Sequence, residues 1–309
     1  MIETDILIIG AGPSAVSAAV YTLRAGLKTI MLGGDNLGGQ LVQTNDIENF
    51  PGFVNPISGF ELMDNMHKQA KRLGAEIVGE KVAKVDTSSK PFVVTTASGK
   101  EYKALSVIVA TGSSARWLGV EGEEEYRGRG ISACATCDGF FFKGKEVCVV
   151  GGGNTAFEDA LFLTNFCKKV YLVHRRGEFR AHRTTVEKAQ ANPKIEMVLC
   201  SVIEKLHGDV LGLTGVTVRN IVNDHLRDIT VQGIFVAVGS IPQTSFLEGS
   251  GVELLPSGHV KADDKTHTNI EGLFAAGDCA DPIYRQAIIA AGTGAKAAIE
   301  AISYVNLLK

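Results

Sequence analysis

Two glycine-rich segments of the same design, about 140 residues apart, restrict the fold of this chain more than any other feature. Each has a short apolar run, a G-x-G-x-x-A turn, a stretch of small helix-forming residues and a second apolar run. This order is typical of a dinucleotide site, with the diphosphate at the start of the helix. The turn residues are Gly10, Gly12 and Ala15 in the first segment and Gly151, Gly153 and Ala156 in the second. Two dinucleotide sites are predicted.

The remaining elements suggest that the first of two α/β domains is split. Two apolar runs that end in a small residue and glycine, 105–113 and 232–240, are predicted to be the strands that close the two nucleotide domains. Near the C-terminus a strand at Leu273–Ala276 precedes a long helix of small residues, as in the N-terminal part. We predict a first domain of residues 1–114 and 246–309, with a second domain, 115–245, inserted into it.

Composition argues against several other classes of protein. Charged residues make up 21% and the net charge is −3, so bulk electrostatics favour neither nucleic acid nor an anionic membrane as a partner. No uninterrupted apolar run reaches the roughly 18 residues that span a bilayer, and the N-terminus lacks the basic start of a secretory signal. The chain has six cysteines in 309 residues, too few for a disulfide scaffold, and most are isolated. We expect a cytoplasmic protein, in a reducing compartment.

The residues after the second glycine turn indicate NADP as its ligand. An acid that binds the ribose 2′-hydroxyl of NAD is expected about 20 residues beyond the glycines. That place instead holds a basic cluster, which suits a 2′-phosphate. The alternative is a solvated basic patch. The cluster consists of His174, Arg175, Arg176 and Arg180.

The ligand of the first turn is less clearly marked. The stretch Met31–Gly34 occupies the place of the ribose-binding acid, and Asp35 comes only after it. Asp278 follows an apolar strand and a glycine, a position suited to holding a ribityl or phosphate-linked hydroxyl. The alternative for Asp278 is a turn residue that caps a helix.

Cys134 and Cys137 form a C-x-x-C pair shortly before the second glycine turn. Zinc needs four ligands, and the sequence has neither a second C-x-x-C nor Cys/His finger spacing, so no metal is predicted. A disulfide across two residues closes too small a loop to stabilise the fold much. A redox-active pair remains. Asp138, the next residue, is either a turn residue or a proton donor and acceptor for the dithiol.

These parts together form an electron path and match a known family. A hydride from NADPH carries two electrons, a flavin accepts them, and a disulfide receives them. The chain resembles the low-molecular-weight, bacterial-type NADPH-dependent thioredoxin reductases over essentially its full length. The motifs that carry the resemblance are G-A-G-P-S-A (10–15), G-G-Q-L (38–41), I-E-N-F-P-G (47–52), A-T-G (110–112), A-C-A-T-C-D-G (133–139), G-G-G-N-T-A (151–156), H-R-R-x-x-F-R-A (174–181), A-A-G-D (275–278) and Y-R-Q-A (284–287).

The resemblance implies the FAD/NAD(P)-binding fold, with two Rossmann-like domains of the three-layer ββα type, and one FAD in each subunit of a homodimer. It places FAD at Gly10, Gly12, Pro13, Ser14, Ala15, the stretch Gly33–Gln40 including Gly39, Asn49, Val82, Ala110, Thr111, Gly112, Gly277, Asp278, Arg285, Gln286 and Ala287. It places NADPH at Gly151, Gly153, Asn154, Thr155, Ala156, His174, Arg175, Arg176 and Arg180.

The resemblance also implies a mechanism. Cys137 is expected nearer the flavin, Cys134 is expected to attack the disulfide of thioredoxin, and Asp138 is expected to be the acid–base. The NADPH domain is expected to rotate about hinges at 111–117 and 239–246. Two positions depart from the family pattern: Ser14 stands where Ala is commoner, and Gly177 where Asp is frequent.

Other classes of flavoprotein, and a redox sensor, are the alternatives to this hypothesis. Because the first strand begins within a few residues of Met1, we expect no N-terminal thioredoxin-like module of the kind that couples related flavoproteins to a peroxidase. Relatives that reduce ferredoxin or flavodoxin lack the cysteine pair, and glutathione-reductase types carry C-x4-C in the first domain. A non-enzymatic NADP-binding redox sensor is the alternative from another class. A yellow protein that reduces thioredoxin with NADPH would favour the enzyme.

Overall fold

The computed structural model describes residues 1–35, 37–44 and 47–309. They divide into two compact units. The first contains Met1–Ser114 and Ser240–Lys309, and the second contains Ala115–Gly239. The chain leaves the first unit once and returns to it once, so the second unit is an insertion.

The return to the first unit comes at 240, six residues before the predicted boundary at 246. Ser240–Pro242 forms a strand that pairs with Ser113–Ala115. Leu247, in the short 3₁₀ helix that follows, is buried in the core of the first unit, and Phe246 packs against it. Residues 240–245 therefore belong with the first unit, because their pairing and the core contacts that follow them lie there.

The strands in the described part are β1 (Ile2–Ile9), β2 (Thr29–Leu32), β3 (Glu76–Val78), β4 (Val82–Asp86), β5 (Phe92–Thr96), β6 (Glu101–Val109), β7 (Ser113–Ala115), β8 (Ile131–Ser132), β9 (Glu146–Val150), β10 (Lys169–His174), β11 (Ile195–Leu199), β12 (Ser201–Asp209), β13 (Gly212–Asn220), β14 (Leu226–Ile229), β15 (Gly233–Val236), β16 (Ser240–Pro242) and β17 (Leu273–Ala275). The α-helices are α1 (Pro13–Arg24), α2 (Gly59–Arg72), α3 (Glu123–Tyr126), α4 (Ala135–Asp138), α5 (Asn154–Leu163), α6 (Arg183–Ala191) and α7 (Ala287–Leu308). Short 3₁₀ helices lie at Gly39–Gln43, Gly139–Phe142, Ser245–Leu247 and Gly277–Cys279.

The sheet of the first unit has the order β3-β2-β1-β6-β5-β4, and β17 also pairs with β6. Alternate residues of β1 are buried in two different cores. Ile6 and Ile8 pack with α1 and α7, and Leu7 and Ile9 pack on the opposite face. A parallel strand covered on both faces is apolar throughout rather than alternating. The apolar runs that predict the first dinucleotide segment are explained by this burial.

The second unit repeats the arrangement with the parallel order β11-β10-β9-β15-β8. Val147 and Val149 of β9 pack against α5 and α6. Cys148 and Val150 face the antiparallel sheet β12-β13-β14. One face of the parallel sheet is thus covered by helices and the other by a second sheet, which is the predicted three-layer ββα arrangement.

Helix α7 packs unusually close to α1. A Cβ at Gly294 would overlap the backbone carbonyl of Ser14, so only glycine allows this approach. By length and composition alone, α7 is the one helix in the described part that is long and apolar enough to cross a membrane. Its residues Ala297, Ala298 and Ala301 are fully buried in the core of the first unit, as expected of a core helix.

Candidate functional site

The first glycine turn joins the end of β1 to the start of α1. Gly10 has a φ of 134°, and a Cβ there would overlap the carbonyl oxygen of Ala110. The Ala110 amide donates to the carbonyl of Ile9 at 2.8 Å. Gly10 and Ala110, both predicted to bind FAD, are thus in contact at the carboxyl ends of neighbouring parallel strands.

The start of α1 fits a diphosphate. Gly12 is the N-cap, Pro13 is the first helical residue, and no side chain caps the helix. A Cβ at Gly12 would meet nothing within 4 Å, so the side on which a ligand would approach is open. The first amides of a helix have no partner within the helix and attract anions. Ala15 is fully buried and lets α1 lie close to the sheet.

Ser14 and Gly277 meet behind this turn. Ser14 is 4% exposed, and its Oγ has no hydrogen-bond partner among the described residues. A Cβ at Gly277 would lie 2.9 Å from the Ser14 Cβ. A buried hydroxyl without a partner is rare in folded proteins and suits a ligand that supplies one. The first unit thus contains the kind of polar group and open glycine turn that FAD needs.

Part of the stretch Gly33–Gln40 lies beside the first glycine turn. The Gly33 amide donates to the carbonyl of Val78 at 2.8 Å. A Cβ at Gly39 would lie 3.9 Å from the Cα of Gly12, which puts the 3₁₀ helix beside the first turn. Gln40 is exposed, and Val82, at the start of β4, is buried. Asn36, which the predicted stretch includes, lies outside the described residues.

Residues far apart in the sequence meet at the start of α7. The Asn49 side-chain amide donates to the side-chain oxygen Oε1 of Gln286 at 3.2 Å, although the two residues are 237 positions apart. Gln286 is the N-cap of α7 and Ala287 its first residue. Thr111 and Gly112 pair with Gln243 of the same unit: the Thr111 hydroxyl donates to the Gln243 carbonyl at 2.6 Å, and the Gln243 amide donates to the Gly112 carbonyl at 3.0 Å.

Asp278 lies in the 3₁₀ helix that follows β17. Burial raises the pKa of its carboxyl group to about 6, against the opposing effect of the Arg285 charge. Arg285 has a φ of 43°, which is uncommon for a residue other than glycine, and its Nε is buried with no partner among the described residues. A buried carboxyl group and a guanidinium whose Nε has no partner among the described residues can bind polar groups of a ligand.

The second glycine turn repeats the first. A Cβ at Gly151 would overlap the carbonyl oxygen of Ala237, which follows β15. Gly153 is the N-cap of α5, and a Cβ there would meet nothing within 4 Å. Asn154 accepts from the backbone amide of His182 at 2.8 Å, Thr155 is exposed, and Ala156 is fully buried. The start of α5 therefore offers open amides, as the start of α1 does.

The predicted basic cluster lies beside this turn. The Arg180 amide donates to the carbonyl of Gly152 at 3.0 Å. The side chains of Arg175, Arg176 and Arg180 are exposed and form no ion pair with any described residue. Burial and these three charges lower the pKa of His174. The cluster is thus positive, unneutralised and next to the helix start, which suits a nucleotide carrying a 2′-phosphate.

Gly152 lies within the G-G-G-N-T-A motif, and the structure gives it a contact that the motif alone does not predict. A Cβ there would overlap the imidazole ring of His174. The dinucleotide pattern requires only the first and last glycines of the run 151–153, so the extra glycine in the middle is itself a sign of a close contact.

Cys134 and Cys137 form a disulfide, with Cα atoms 5.3 Å apart. Cys134 is the N-cap of α4, a single turn, and the Cys134 amide donates to the Ser132 hydroxyl at 3.0 Å. Both cysteines are partly buried. No group of His, Cys, Asp or Glu able to hold a metal ion occurs among the described residues.

Asp138 ends the short helix that begins after Cys134. Its amide donates to the Cys134 carbonyl at 3.1 Å, which fixes it one turn from that cysteine. Burial raises the pKa of the Asp138 carboxyl group, and a hydrogen bond with Ser132 opposes this. A carboxyl group that keeps its proton to a higher pH than usual, near a disulfide, is suited to proton transfer.

Comparison with known proteins agrees with this geometry. The family model described as pyridine nucleotide-disulphide oxidoreductase matches residues 4–294. The thioredoxin reductase of Rickettsia conorii is 47% identical over 307 residues, which cover 99% of each chain. A solved thioredoxin reductase from Giardia duodenalis has a TM-score of 0.95 at 40% identity and covers 99% of this chain and 100% of its own. That from Streptococcus pyogenes MGAS5005 has a TM-score of 0.92 at 37% identity, with 99% of each chain covered. The chain belongs to the pyridine nucleotide-disulphide oxidoreductase family and, within it, to the thioredoxin reductases.

Proposed function

We propose that this protein is an NADPH-dependent flavoprotein that reduces the disulfide of thioredoxin. The observation that carries the proposal is the Cys134–Cys137 disulfide, which lies in the same compact unit as a dinucleotide turn and its basic cluster. The net reaction converts NADPH, a proton and a disulfide into NADP⁺ and a dithiol, so two electrons are conserved throughout.

Each unit binds one dinucleotide. The first unit holds FAD through the amides at the start of α1, the Ser14 hydroxyl and the polar groups around Asp278. When bound, FAD accepts a hydride from NADPH and delivers two electrons to the disulfide. The second unit holds NADPH through the amides at the start of α5, while Arg175, Arg176 and Arg180 bind the 2′-phosphate.

Thiol–disulfide exchange then transfers the electrons to thioredoxin. The thiolate of Cys134 attacks the thioredoxin disulfide, and one thioredoxin sulfur leaves as a thiolate. Cys137 next attacks the Cys134 sulfur, which releases the second thioredoxin thiol and re-forms the Cys134–Cys137 disulfide. Asp138, which lies one helical turn from Cys134, supplies the proton that the leaving thiolate takes up.

We also propose a cytoplasmic homodimer. A compartment that keeps thiols reduced suits Cys148, Cys167 and Cys279, which are free and buried.

The segments 111–117 and 239–246, which contain the paired strands β7 and β16, are the hinges about which we propose that the second unit reorients. The FAD-binding domain is residues 1–114 with 240–309, and the NADPH-binding domain is 115–239, by this assignment.

The test is an assay of the purified protein with NADPH and thioredoxin, together with an absorption spectrum of the same sample. We expect the bands of an oxidised flavin and oxidation of NADPH that depends on thioredoxin. A colourless protein, or NADPH oxidation that ignores thioredoxin, would overturn the proposal. The sensor alternative predicts NADP binding without turnover.

A further inference from the structure

His259 is a buried histidine with no part in the reaction described above. It closes a tight turn in which the Leu255 amide donates to the His259 carbonyl at 2.8 Å. The next amide, of Val260, donates to the Cys279 carbonyl at 2.8 Å. This bond fixes His259 beside the 3₁₀ helix that carries Asp278. The residue is only 3% exposed.

The imidazole of His259 is only half satisfied. Its Nδ1 lies 2.9 Å from the Ser257 hydroxyl, whereas Nε2 is buried with no hydrogen-bond partner among the described residues. A buried polar atom without a partner is destabilising, and one in a folded protein calls for an explanation. Packing alone would be served better by an apolar side chain of the same shape.

Arg285, whose charge acts on the His259 ring, shows the complementary feature. Its Nε is also buried without a partner in the described part of the chain. The preceding turn is tied down by Asp281, which accepts from the amides of Ile283 and Tyr284 at 2.8 and 3.1 Å. The backbone of Arg285 is left-handed. The protein thus holds this arginine in an unfavourable conformation beside the proposed FAD segment.

Burial and the charges around the ring together favour its neutral form. Burial first, and the Arg285 charge second, lower the pKa of His259, while Asp281 acts in the opposite direction. Arg285 and Asp281 also act on Asp278, so these four groups share one electrostatic environment. A neutral imidazole has one N–H and one lone pair. With a guanidinium nearby, the favourable tautomer donates from Nδ1 to Ser257 and leaves the Nε2 lone pair as an acceptor.

We propose that His259 is a positioning residue for FAD, which acts by accepting a hydrogen bond from the Arg285 guanidinium through Nε2 as the dinucleotide binds. The inference rests on the proposed function, since it requires that the first unit holds FAD. It adds a residue that lies outside every glycine motif and contacts the ligand only through Arg285. His259 sets the direction of the guanidinium, and Arg285 makes the contact.

The test is a double-mutant cycle on FAD release. Holoenzymes are diluted, and the rise in free-flavin fluorescence gives the dissociation constant of FAD. We expect His259→Phe to raise it about tenfold or more, because a hydrogen bond to a charged group is lost. His259→Gln, which keeps an acceptor, should stay within about threefold of the wild type. In an Arg285→Met background, His259→Phe should change it by less than about twofold.

Additive effects of His259→Phe and Arg285→Met would overturn the inference, since they would mean that His259 acts on packing and not through Arg285. Equal loss in His259→Phe and His259→Gln would also overturn it. His225→Phe, at an exposed position in the other unit, is the matched control and should leave FAD release unchanged. Should His259→Phe not fold, His259→Leu replaces it in the cycle.

The wild-type protein separates this inference from the proposed function. If it purifies without FAD, both fail. If it carries FAD and reduces thioredoxin but the cycle is additive, only the role of His259 fails.

Discussion

Gly152 lies directly against the imidazole ring of His174, so that a Cβ at position 152 would overlap the ring atoms. The same glycine accepts from the Arg180 amide through its carbonyl, at 3.0 Å. Gly152 thus contacts both ends of the basic cluster, His174 at the end of β10 and Arg180 six residues later. The position of this cluster depends on the absence of a side chain at 152.

Gly152→Ala should weaken NADPH binding, because the new Cβ must displace the His174 ring. We expect the KM for NADPH to rise about tenfold, the size of a modest overpacking penalty, with FAD content unchanged. Steady-state kinetics with varied NADPH measure this. The control is the pair Gly152→Ala with His174→Ala, where the ring is gone. If that double variant is much worse than His174→Ala alone, the ring contact is not the cause.

Arg175→Ala combined with Arg176→Ala should narrow the preference for NADPH over NADH. The two side chains are exposed and have no ion pair in the described part of the chain, so a 2′-phosphate is the group they are free to bind. We expect the KM for NADPH to rise about tenfold or more and that for NADH to stay nearly constant. Arg183→Ala, which removes an exposed ion pair with Glu187, is the control. An unchanged ratio between the cofactors would exclude the role of the cluster.

Asp138→Asn should slow thioredoxin reduction about a hundredfold without loss of FAD, because an amide cannot donate the required proton. Burial raises the pKa of Asp138, so the acid form persists above the ordinary range and is lost as pH rises through the raised value. The rate of the wild-type protein should therefore fall with rising pH as Asp138 ionises, and the rate of Asp138→Asn should show no such fall.

Stability provides the control for Asp138→Asn. Because the folded-state pKa of Asp138 is raised, its stabilising contribution is present at low pH and is lost as pH rises through that value. Asparagine never ionises, so the variant should be at least as stable as the wild type at pH 8, by thermal unfolding. If Asp138→Asn reduces thioredoxin at the wild-type rate, Asp138 is a turn residue only.

Two glycines of α7 offer a matched test of the close approach between α1 and α7. Gly294→Ala should destabilise the protein by about 1–3 kcal/mol, because its Cβ would overlap the Ser14 backbone. A Cβ at Gly292 would meet nothing within 4 Å, so Gly292→Ala should be neutral or stabilise by up to about 1 kcal/mol. Urea unfolding measures both. Equal effects at the two positions would show that helix propensity, and not the contact with α1, governs this helix.

Local patterns predicted the parts of the fold that depend on local chemistry. The two glycine turns are predictable because only glycine fits where Gly10 and Gly151 meet a neighbouring carbonyl, and those glycines are visible in the sequence itself. The strands beside them are predictable because burial on both faces requires an unbroken apolar run.

Contacts between distant parts of the chain could not be read from the sequence. The hydrogen bond between Asn49 and Gln286 joins residues 237 positions apart, and neither the I-E-N-F-P-G motif nor the Y-R-Q-A motif indicates that the two residues meet. The resemblance named both, but only the fold brings them together. The return to the first unit at 240, and not at the predicted 246, follows from the pairing of Ser240–Pro242 with β7, which no local pattern indicates. His259 likewise lies in no sequence motif, and only the fold places it beside the 3₁₀ helix at Gly277–Cys279.

The most direct test of the central claim is an anaerobic count of electrons. The protein is mixed with a known amount of NADPH and an excess of oxidised thioredoxin, and thioredoxin thiols are counted as NADPH is consumed. We predict two new thioredoxin thiols for each NADPH oxidised, and none with Cys134→Ser, while Cys200→Ser behaves as the wild type. Full thiol formation by Cys134→Ser, or NADPH oxidation with no thioredoxin thiols in the wild type, would contradict the account.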